Sequence, residues 1–274
     1  MKDVLRLEFR KLKRQKSFYI CTGIMLALLL LSAISCNMTN NLYEDIMNST
    51  LMDDAMGEGF ATEYYSLYTV IDMLISAVSS GTLVLLAAIF VSIAVCDDYS
   101  QHTIKNIYAR GYTRTQVFFA KAIYVLVTAS VMFIVALLFS FLTGLIFFDM
   151  GSADGGKLAV LLIAQYVAFL ANVSIFFLIS ILFRRIGASV AVNIVGSMVV
   201  SLILSLIDLL IMFKTENYED SFSVSEYWVD SFIGDLSDLT VDNSRIISCV
   251  VASAVYIALA LLIGWRFHRK TEVK

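Results

Sequence analysis

Six long stretches without a charged residue constrain this chain more than any other feature of its sequence. They cover residues 17–43, 73–96, 122–148, 158–183, 186–207 and 246–265. About 20 apolar residues are enough for an α-helix to cross the ~30 Å hydrocarbon core of a bilayer. We therefore predict an all-α integral membrane protein, with a single transmembrane domain over residues 1–274. Its six spans should lie near 18–37, 71–96, 117–147, 158–183, 187–212 and 246–266.

The composition excludes several classes of protein. Of the 274 residues, 59% are hydrophobic and 16% are charged, whereas soluble domains average about 45–50% and about 25%. The same values exclude an intrinsically disordered chain. The net charge of −3 argues against a nucleic-acid partner. Four scattered Cys and two His predict neither a disulfide framework nor a metal centre. The chain has no proline, so no span is kinked by that residue.

The charges outside the spans predict the orientation in the membrane. Of the 20 Lys and Arg, 17 lie in residues 1–16, 97–121, 184–185 and 266–274. The remaining three, with 16 acids, lie in the loops 38–70, 149–157 and 213–245. Because basic residues accumulate on the cytoplasmic side, we expect both termini in the cytoplasm and a strongly acidic external face.

The start of the chain and one glycine-rich turn allow other interpretations. A basic start before an apolar run is also typical of a signal peptide, and Leu31–Cys36 resembles a lipoprotein cleavage box. Five further spans favour a retained first helix.

Residues 151–157 fit the pattern GxxxxGK, but Leu158 stands where a phosphate loop needs Ser or Thr. We expect no nucleotide site, catalytic site or bound metal in this chain, and we place His102 and His268 in solvated loops.

Residues 1–16 carry two adjoining stripes at helical spacing. The apolar stripe is Leu5, Phe9 and Leu12, and the basic stripe is Arg6, Arg10 and Lys13. This pattern predicts an amphipathic elbow helix that lies in the membrane interface, with its basic side chains toward anionic headgroups. The alternative is a simple basic anchor that sets topology.

The loop 97–116 has the most informative pattern. Asp97 and Asp98 end the second span, and Gly111 can close a short helix in the left-handed conformation. Thr113–Gln116 then forms a capping box that starts the third span. The helix between them has one apolar face, formed by Ile104, Ile107 and Tyr108 beside Lys105 and Arg110. Such a face needs a cover, either a docking partner or the protein's own membrane boundary.

The basic amphipathic N-terminus, the six spans and the segment from Asp97 to Lys121 together resemble the permease subunits of type-2 ABC exporters. The lantibiotic and bacitracin-type antimicrobial-peptide permeases are the most similar in character. In that family a Pro-x-Ser-Arg-like turn often precedes the third span. Gly111-Tyr112-Thr113-Arg114 stands here instead, with the hydroxyl and the Arg but without the Pro.

This resemblance implies a cytoplasmic ABC ATPase partner that binds ATP and Mg²⁺, and a coupling helix in the loop 97–116 that docks on it. The docking residues would be Asp97, Asp98, Ile104, Lys105, Ile107, Tyr108, Arg110 and Arg114. The chain would then form half of a membrane unit, with a second copy of itself or with a paralogue, in a bacterial cell membrane.

Polar residues inside the spans and one external segment are candidates for the transport pathway. The polar residues are Asp208, Gln165, Asn172 and Asn193, although most such groups only hold helices together. In the external segment 213–245, Ser223–Glu226 fits a capping box. Apolar residues follow at helical spacing: Val224, Trp228, Phe232, Leu236 and Leu239. We expect an amphipathic helix there, either a lid that uses Trp228 and Phe232 or an interfacial anchor.

Three functions remain open from the sequence. The first is the permease subunit of an ATP-driven exporter of a peptide, an antibiotic or another amphipathic substrate, which agrees with a role in antimicrobial-peptide resistance. The second is an ATP-independent secondary transporter, a class that often has internal repeats and broken helices. The third is a membrane sensor or assembly module that transports nothing.

Overall fold

The computed structural model describes residues 2–12, 15–48, 68–101, 103–151, 155–214 and 223–270. All of its regular secondary structure is helical. The α-helices are α1 Lys2–Leu12, α2 Lys16–Asn48, α3 Val70–Ser79, α4 Thr82–Ser100, α5 Thr103–Ala109, α6 Arg114–Phe147, α7 Gly155–Phe183, α8 Ile186–Lys214, α9 Val229–Asp235 and α10 Asn243–Lys270. A 3₁₀ turn, Ser225–Tyr227, precedes α9.

Six apolar helical segments are long enough to cross a membrane, as predicted. They are α2, the pair α3 and α4, α6, α7, α8 and α10. Large apolar side chains on their outer faces stay exposed, among them Leu138 and Leu142 of α6, both at 59%. A bilayer would cover these faces, so their exposure agrees with a membrane protein. The fold class predicted from the uncharged stretches is therefore confirmed.

Helix α7 lies at the centre of the bundle and contacts α4, α6, α8, α9 and α10. Its buried face combines large rings with small residues; Phe169, Ala168 and Ala171 are fully buried. Helix α8 lies at the periphery, where its most apolar 18-residue window has no buried residue. Small residues allow close approach of neighbouring helices in a membrane, which explains how α7 packs against so many elements.

The second span is not one continuous helix, in contrast to the span predicted over 71–96. It breaks after Ser80 at Gly81, whose φ of 72° lies in the left-handed region. Glycine adopts this conformation without the steric penalty that a Cβ brings. The short outer piece α3 starts with a capping box between Thr69 and Asp72. The Met73 carbonyl of α3 accepts a 2.7 Å hydrogen bond from Ser140 of α6.

The segment 223–242, between α8 and α10, also differs from the prediction. A single amphipathic helix was expected after a capping box at Ser223–Glu226, but the structure has a 3₁₀ turn and the seven-residue helix α9. The Ser223 hydroxyl donates to Asp208 at 3.0 Å. The predicted capping box is therefore wrong, because this hydroxyl, which was expected to cap the start of a helix, donates to a carboxylate on α8 instead.

The break at Gly81 gives a direct test of the fold. Gly81→Ala should lower the thermal unfolding temperature, because a Cβ in a left-handed conformation costs about 1–2 kcal/mol. Gly23→Ala is the matched control, since Gly23 lies inside α2 with nothing within 4 Å of an added Cβ. That control should be neutral or stabilising. Equal stability of wild type and Gly81→Ala in the same detergent would contradict the broken span.

Candidate functional site

Four charged side chains meet where α1 approaches α4 and α6. Asp98 accepts hydrogen bonds from Lys11 Nζ at 2.7 Å, through Oδ1, and contacts Lys121 Nζ at 2.6 Å, through Oδ2. Glu8 Oε2 lies 3.5 Å from Lys11 Nζ. We call Glu8, Lys11, Asp98 and Lys121 the ion cluster. Its two acids and two bases balance, and it connects α1, α4 and α6.

Burial makes the ion cluster sensitive to the loss of Glu8, Asp98 or Lys121. Glu8, Asp98 and Lys121 are only 2%, 7% and 3% exposed. Charges this far from water are tolerated when they are paired and fully hydrogen-bonded. Lys121 also donates to the Val95 carbonyl at 3.2 Å, and the Thr103 hydroxyl donates to Asp98 Oδ1 at 3.1 Å. Since Thr103 is the first residue of α5, the ion cluster also positions α5.

The inner face of α1 differs from the predicted apolar stripe. Val4 and Glu8 are its buried residues, whereas the predicted stripe is only partly buried, at Leu5, Phe9 and Leu12. The exposed basic residues are Arg6 and Arg10, as the stripe pattern predicts; Lys13 lies outside the described residues. Helix α1 therefore packs on α6 through an acid as well as through apolar groups.

The apolar face of α5 is covered by the protein itself. Ile104 and Ile107 are 2% and 8% exposed, so neither offers an open surface to a partner. Asp98 belongs to the ion cluster and not to a rim, while Asp97 accepts a hydrogen bond from Gln101 at 2.8 Å. The loop is exposed at its start, at Ser100 and Gln101, and at its end, where Arg110 and Gly111 are exposed and Tyr108 and Arg114 are half-buried. The side chain of Lys105 and residue His102 lie outside the described residues.

The turn between α5 and α6 forms as its sequence predicts. Gly111 adopts a φ of 83°, and its N–H donates to the Tyr108 carbonyl at 2.9 Å. Thr113 and Gln116 cap α6 reciprocally, each side chain accepting from the other residue's backbone N–H. Arg114 Nη1 donates to the Arg269 carbonyl at 3.2 Å, so the turn also contacts the end of α10.

His268 joins α5 to α4 and α10 and is only 5% exposed, so the predicted solvated position is wrong. Its Nε2 lies 3.0 Å from the Tyr108 hydroxyl, and its Nδ1 lies 3.2 Å from the Tyr99 hydroxyl. A neutral imidazole donates through one nitrogen and accepts through the other. Burial raises the pKa of Tyr108 to about 12, so its hydroxyl keeps its proton at neutral pH.

Two cations lie close to the Tyr99 ring, one from the ion cluster and one from the turn between α7 and α8. The Lys121 ammonium and the Arg184 guanidinium lie 5.4 Å and 5.3 Å from the centre of its ring. Such positions are favourable because the face of an aromatic ring is electron-rich. Arg184 occupies the tight turn between α7 and α8 with a φ of 54°. Tyr99 therefore extends the network from the ion cluster to α7 and α8.

At the end of the bundle opposite the ion cluster, side chains of α8 and α10 bind the segment 223–242. Asp208 of α8 accepts from the backbone N–H groups of Val224 and Ser225 at 2.6 Å and 3.0 Å. Arg245 of α10 contacts Asp235 at 2.6 Å and donates to the Glu226 carbonyl at 2.9 Å. Asp208 therefore anchors this segment, and the structure does not place it on a substrate pathway.

The middle of this segment inserts into the bundle. Phe232 is 1% exposed and packs in the core, while Trp228 is half-buried. Gln165 Nε2 donates to the Leu236 carbonyl at 3.0 Å, and Asn172 Nδ2 lies 3.5 Å from the Val229 carbonyl. These two amides of α7 hold the segment, which is the helix-bonding alternative that the sequence left open.

A cavity of about 230 Å³ lies between α4, α8 and α9, beside the break at Gly81. Of the four polar residues proposed for a pathway, only Asn193 lines it. No group of three or more His, Cys, Asp or Glu in the described ranges could hold a metal ion.

A family model described as ABC-2 family transporter protein matches residues 4–201. The chain belongs to the ABC-2 transporter family. The match includes most of α1, the ion cluster and α5, and it ends within α8, before the segment 223–242. No curated protein matches this ABC-2 chain. The resemblance of the sequence to type-2 ABC permeases is thereby confirmed, and the protein is a membrane component of an ABC transporter.

Sequence reasoning missed most of the network around α5. Asp98 and Lys121 lie near the ends of uncharged stretches, and a charged side chain at the end of a span is usually expected to face water. Glu8 offered a local signal, since an acid within a basic helix three residues before Lys11 is spaced for an ion pair. No local pattern marks His268 or Arg184, because their partners are distant in the chain.

The ion cluster predicts a specific pattern of stability changes. Lys121→Met should destabilise the fold strongly, because breaking a buried ion pair costs about 3–5 kcal/mol. Asp98→Asn should behave similarly, and the double variant should be more stable than either single variant. Arg185→Met is the control, since Arg185 is exposed in the turn between α7 and α8. Unfolding temperatures in one detergent measure these effects. Additive losses in the double variant would show that the two residues do not act as a pair.

Proposed function

We propose that this chain is the permease subunit of an ATP-driven exporter, and that the exposed end of the loop 97–116 receives the ATPase subunit. The main support for this proposal is the set of contacts that fixes both ends of α5. The ion cluster connects its start to α1, α4 and α6, and His268 connects its end to α4 and α10. A displacement of α5 therefore acts on most of the spans at once.

The docking surface differs from the one expected from the sequence. Ile104 and Ile107 support α5 from inside, and Tyr108 transmits force through His268. Arg110 and the turn at Gly111 would meet the ATPase subunit, with Arg114 beside them. A basic contact surface fits an acidic groove on that subunit. ATP and Mg²⁺ would bind in the ATPase subunit.

The distribution of charge and the exposed face of α8 support the remaining features of the proposed assembly. The excess of Lys and Arg near α1, α5 and both chain termini supports cytoplasmic termini in a bacterial cell membrane. The exposed apolar face of α8 supports pairing with a second copy or a paralogue. The segment 223–242 would then close the external end of the pathway, and an amphipathic molecule such as a peptide or antibiotic would be exported past it.

Orientation can be tested by cysteine labelling of intact cells. Ser237 and Ser100 are both exposed and lie at opposite ends of the spans. In a variant without the four native cysteines, Ser237→Cys should react with a membrane-impermeant maleimide, and Ser100→Cys should react only after permeabilisation. Labelling at position 100 in intact cells would reverse the orientation that we propose.

Coupling can be tested with the ATPase subunit that co-purifies with the wild-type chain. Arg110→Ala should reduce recovery of that subunit roughly two- to tenfold, with a shallower dependence on salt, because one of the screened charges is gone. Tyr108→Phe removes only the hydroxyl that contacts His268. It should preserve recovery but lower substrate-stimulated ATPase activity and transport.

The control for this experiment is Arg10→Ala, because Arg10 is an exposed basic residue of α1 outside the loop. It should leave recovery, ATPase activity and transport unchanged. Normal recovery with Arg110→Ala at all salt concentrations would exclude the proposed docking surface. Normal coupling with Tyr108→Phe would exclude the His268 connection.

A further inference from the structure

Arg184 has an unusual backbone conformation in the turn between α7 and α8. Its φ of 54° lies in the left-handed region, which costs free energy for a residue that carries a Cβ. Its N–H donates to the Ser180 carbonyl at 3.1 Å, so the turn continues directly from α7. Such strain persists only where surrounding contacts fix it, and it is a reason to ask what the side chain does.

The guanidinium of Arg184 is held in one place by the protein. It lies 5.3 Å from the centre of the Tyr99 ring. Its Nε is enclosed and has no hydrogen-bond partner among the described residues, whereas the side chain as a whole is only half-buried. A ligand would therefore bind the terminal nitrogens, Nη1 and Nη2. These two nitrogens can donate to two oxygens of one phosphate group.

The positive charge of Arg184 has no acidic partner among the residues that the structure describes. The nearby ion cluster balances its own charges, and Asp97 accepts a hydrogen bond from Gln101. The positive end of the α8 dipole adds to the charge of the turn instead of reducing it. Because an unbalanced charge that is partly withdrawn from water is unfavourable, a bound anion would stabilise this turn.

The residues just before Arg184 place its guanidinium beside the bilayer. Leu182 and Phe183, at the end of α7, are 39% and 45% exposed. Since α7 and α8 are both long and apolar enough to span a membrane, hydrocarbon would cover these two side chains. A basic side chain at the end of such a helix reaches the level of the lipid headgroups. The anion that fits this position is therefore a headgroup.

We propose that Arg184 binds the phosphate of an anionic phospholipid, such as phosphatidylglycerol, whose acyl chains lie against Leu182 and Phe183. The lipid lies in the leaflet on the side of the ion cluster, which is the cytoplasmic leaflet in the proposed orientation. A zwitterionic lipid carries its own cation and would leave the charge of the turn unbalanced. Tyr99 is a positioning residue, because its ring holds the guanidinium while its hydroxyl contacts His268. The lipid is thereby connected to the network around α5.

A tryptophan placed next to Arg184 can report which lipid binds there. The reporter is the full chain with Phe183→Trp, in a Trp228→Phe and Trp265→Phe background, reconstituted in bilayers without the ATPase subunit or ATP. Bromine atoms on a lipid chain quench tryptophan fluorescence at close range. Quenching by brominated phosphatidylglycerol and by brominated phosphatidylcholine therefore gives their relative binding at position 183. A second reporter, Phe213→Trp, lies at an exposed position at the opposite end of α8.

We expect phosphatidylglycerol to bind at position 183 roughly fivefold more tightly than phosphatidylcholine, about the effect of one basic side chain near an anionic surface. Position 213 should show no such preference. Arg184→Gln and Arg184→Gly should each bring the ratio close to one. The glycine variant keeps the turn, because glycine adopts this φ without a steric penalty.

Two further comparisons separate this site from general attraction to basic residues. Arg185→Gln is the matched control, because it removes the same charge from the exposed neighbouring residue, and it should keep most of the preference. Tyr99→Leu removes the ring that holds the guanidinium and should lower the preference. Tyr99→Phe keeps that ring and should restore it.

Equal quenching by the two lipids in the Phe183→Trp reporter would overturn the proposal. So would equal losses in Arg184→Gln and Arg185→Gln, since they would show diffuse attraction to a basic surface. Loss of the preference in inorganic phosphate, but not in chloride of equal ionic strength, would assign the site to a soluble anion and overturn the lipid assignment. Both leaflets have the same composition and no ATPase subunit is present. Failure here therefore leaves the permease assignment standing, and failure of the coupling experiment leaves lipid binding standing.

Discussion

The buried charge pairing between Asp98 and Lys121 is the interaction on which the arrangement around α5 depends. Helix α5 has only seven residues, which is too short to be stable alone in water. It is ordered because Thr103 contacts Asp98, because its two isoleucines pack against the protein and because Tyr108 meets His268. The charges cannot separate without leaving one of them unpaired in an apolar environment. The short helix is therefore fixed to the ends of several spans, as the proposed transfer of force from an ATPase subunit requires.

The other end of the bundle uses a different kind of contact. The segment 223–242 is held by a carboxylate at one end, an arginine at the other and two amide-to-carbonyl hydrogen bonds in the middle. A typical net contribution is about 0.5–1.5 kcal/mol for each of the two neutral hydrogen bonds and about 1.5–3 kcal/mol for a hydrogen bond to a charged group.

The sequence predicts elements that depend on local chemistry and misses those that depend on distant partners. Uncharged stretches located the six spans because the bilayer requires a fixed apolar length. The Gly111 turn and the Thr113 cap were predictable because each is formed within a few residues. The break at Gly81 was missed because glycine is common in membrane helices and no proline marks it. The spacing from Val224 to Leu239 identified the buried face of the segment but not its helix, because Asp208 and the amides of α7 decide its conformation.

The most direct test of this account is whether the ion cluster makes α1 and α5 move as one body when ATP binds. Spin labels can be attached at Arg10 of α1 and Ala109 of α5, which are both exposed, and a third at Ser237. Distances would be measured in the complex with the ATPase subunit, with and without a non-hydrolysable ATP analogue. The account predicts an unchanged distance between positions 10 and 109, while the distances from both to position 237 change. A change between positions 10 and 109 would show that α5 moves independently of α1 and would contradict the central claim.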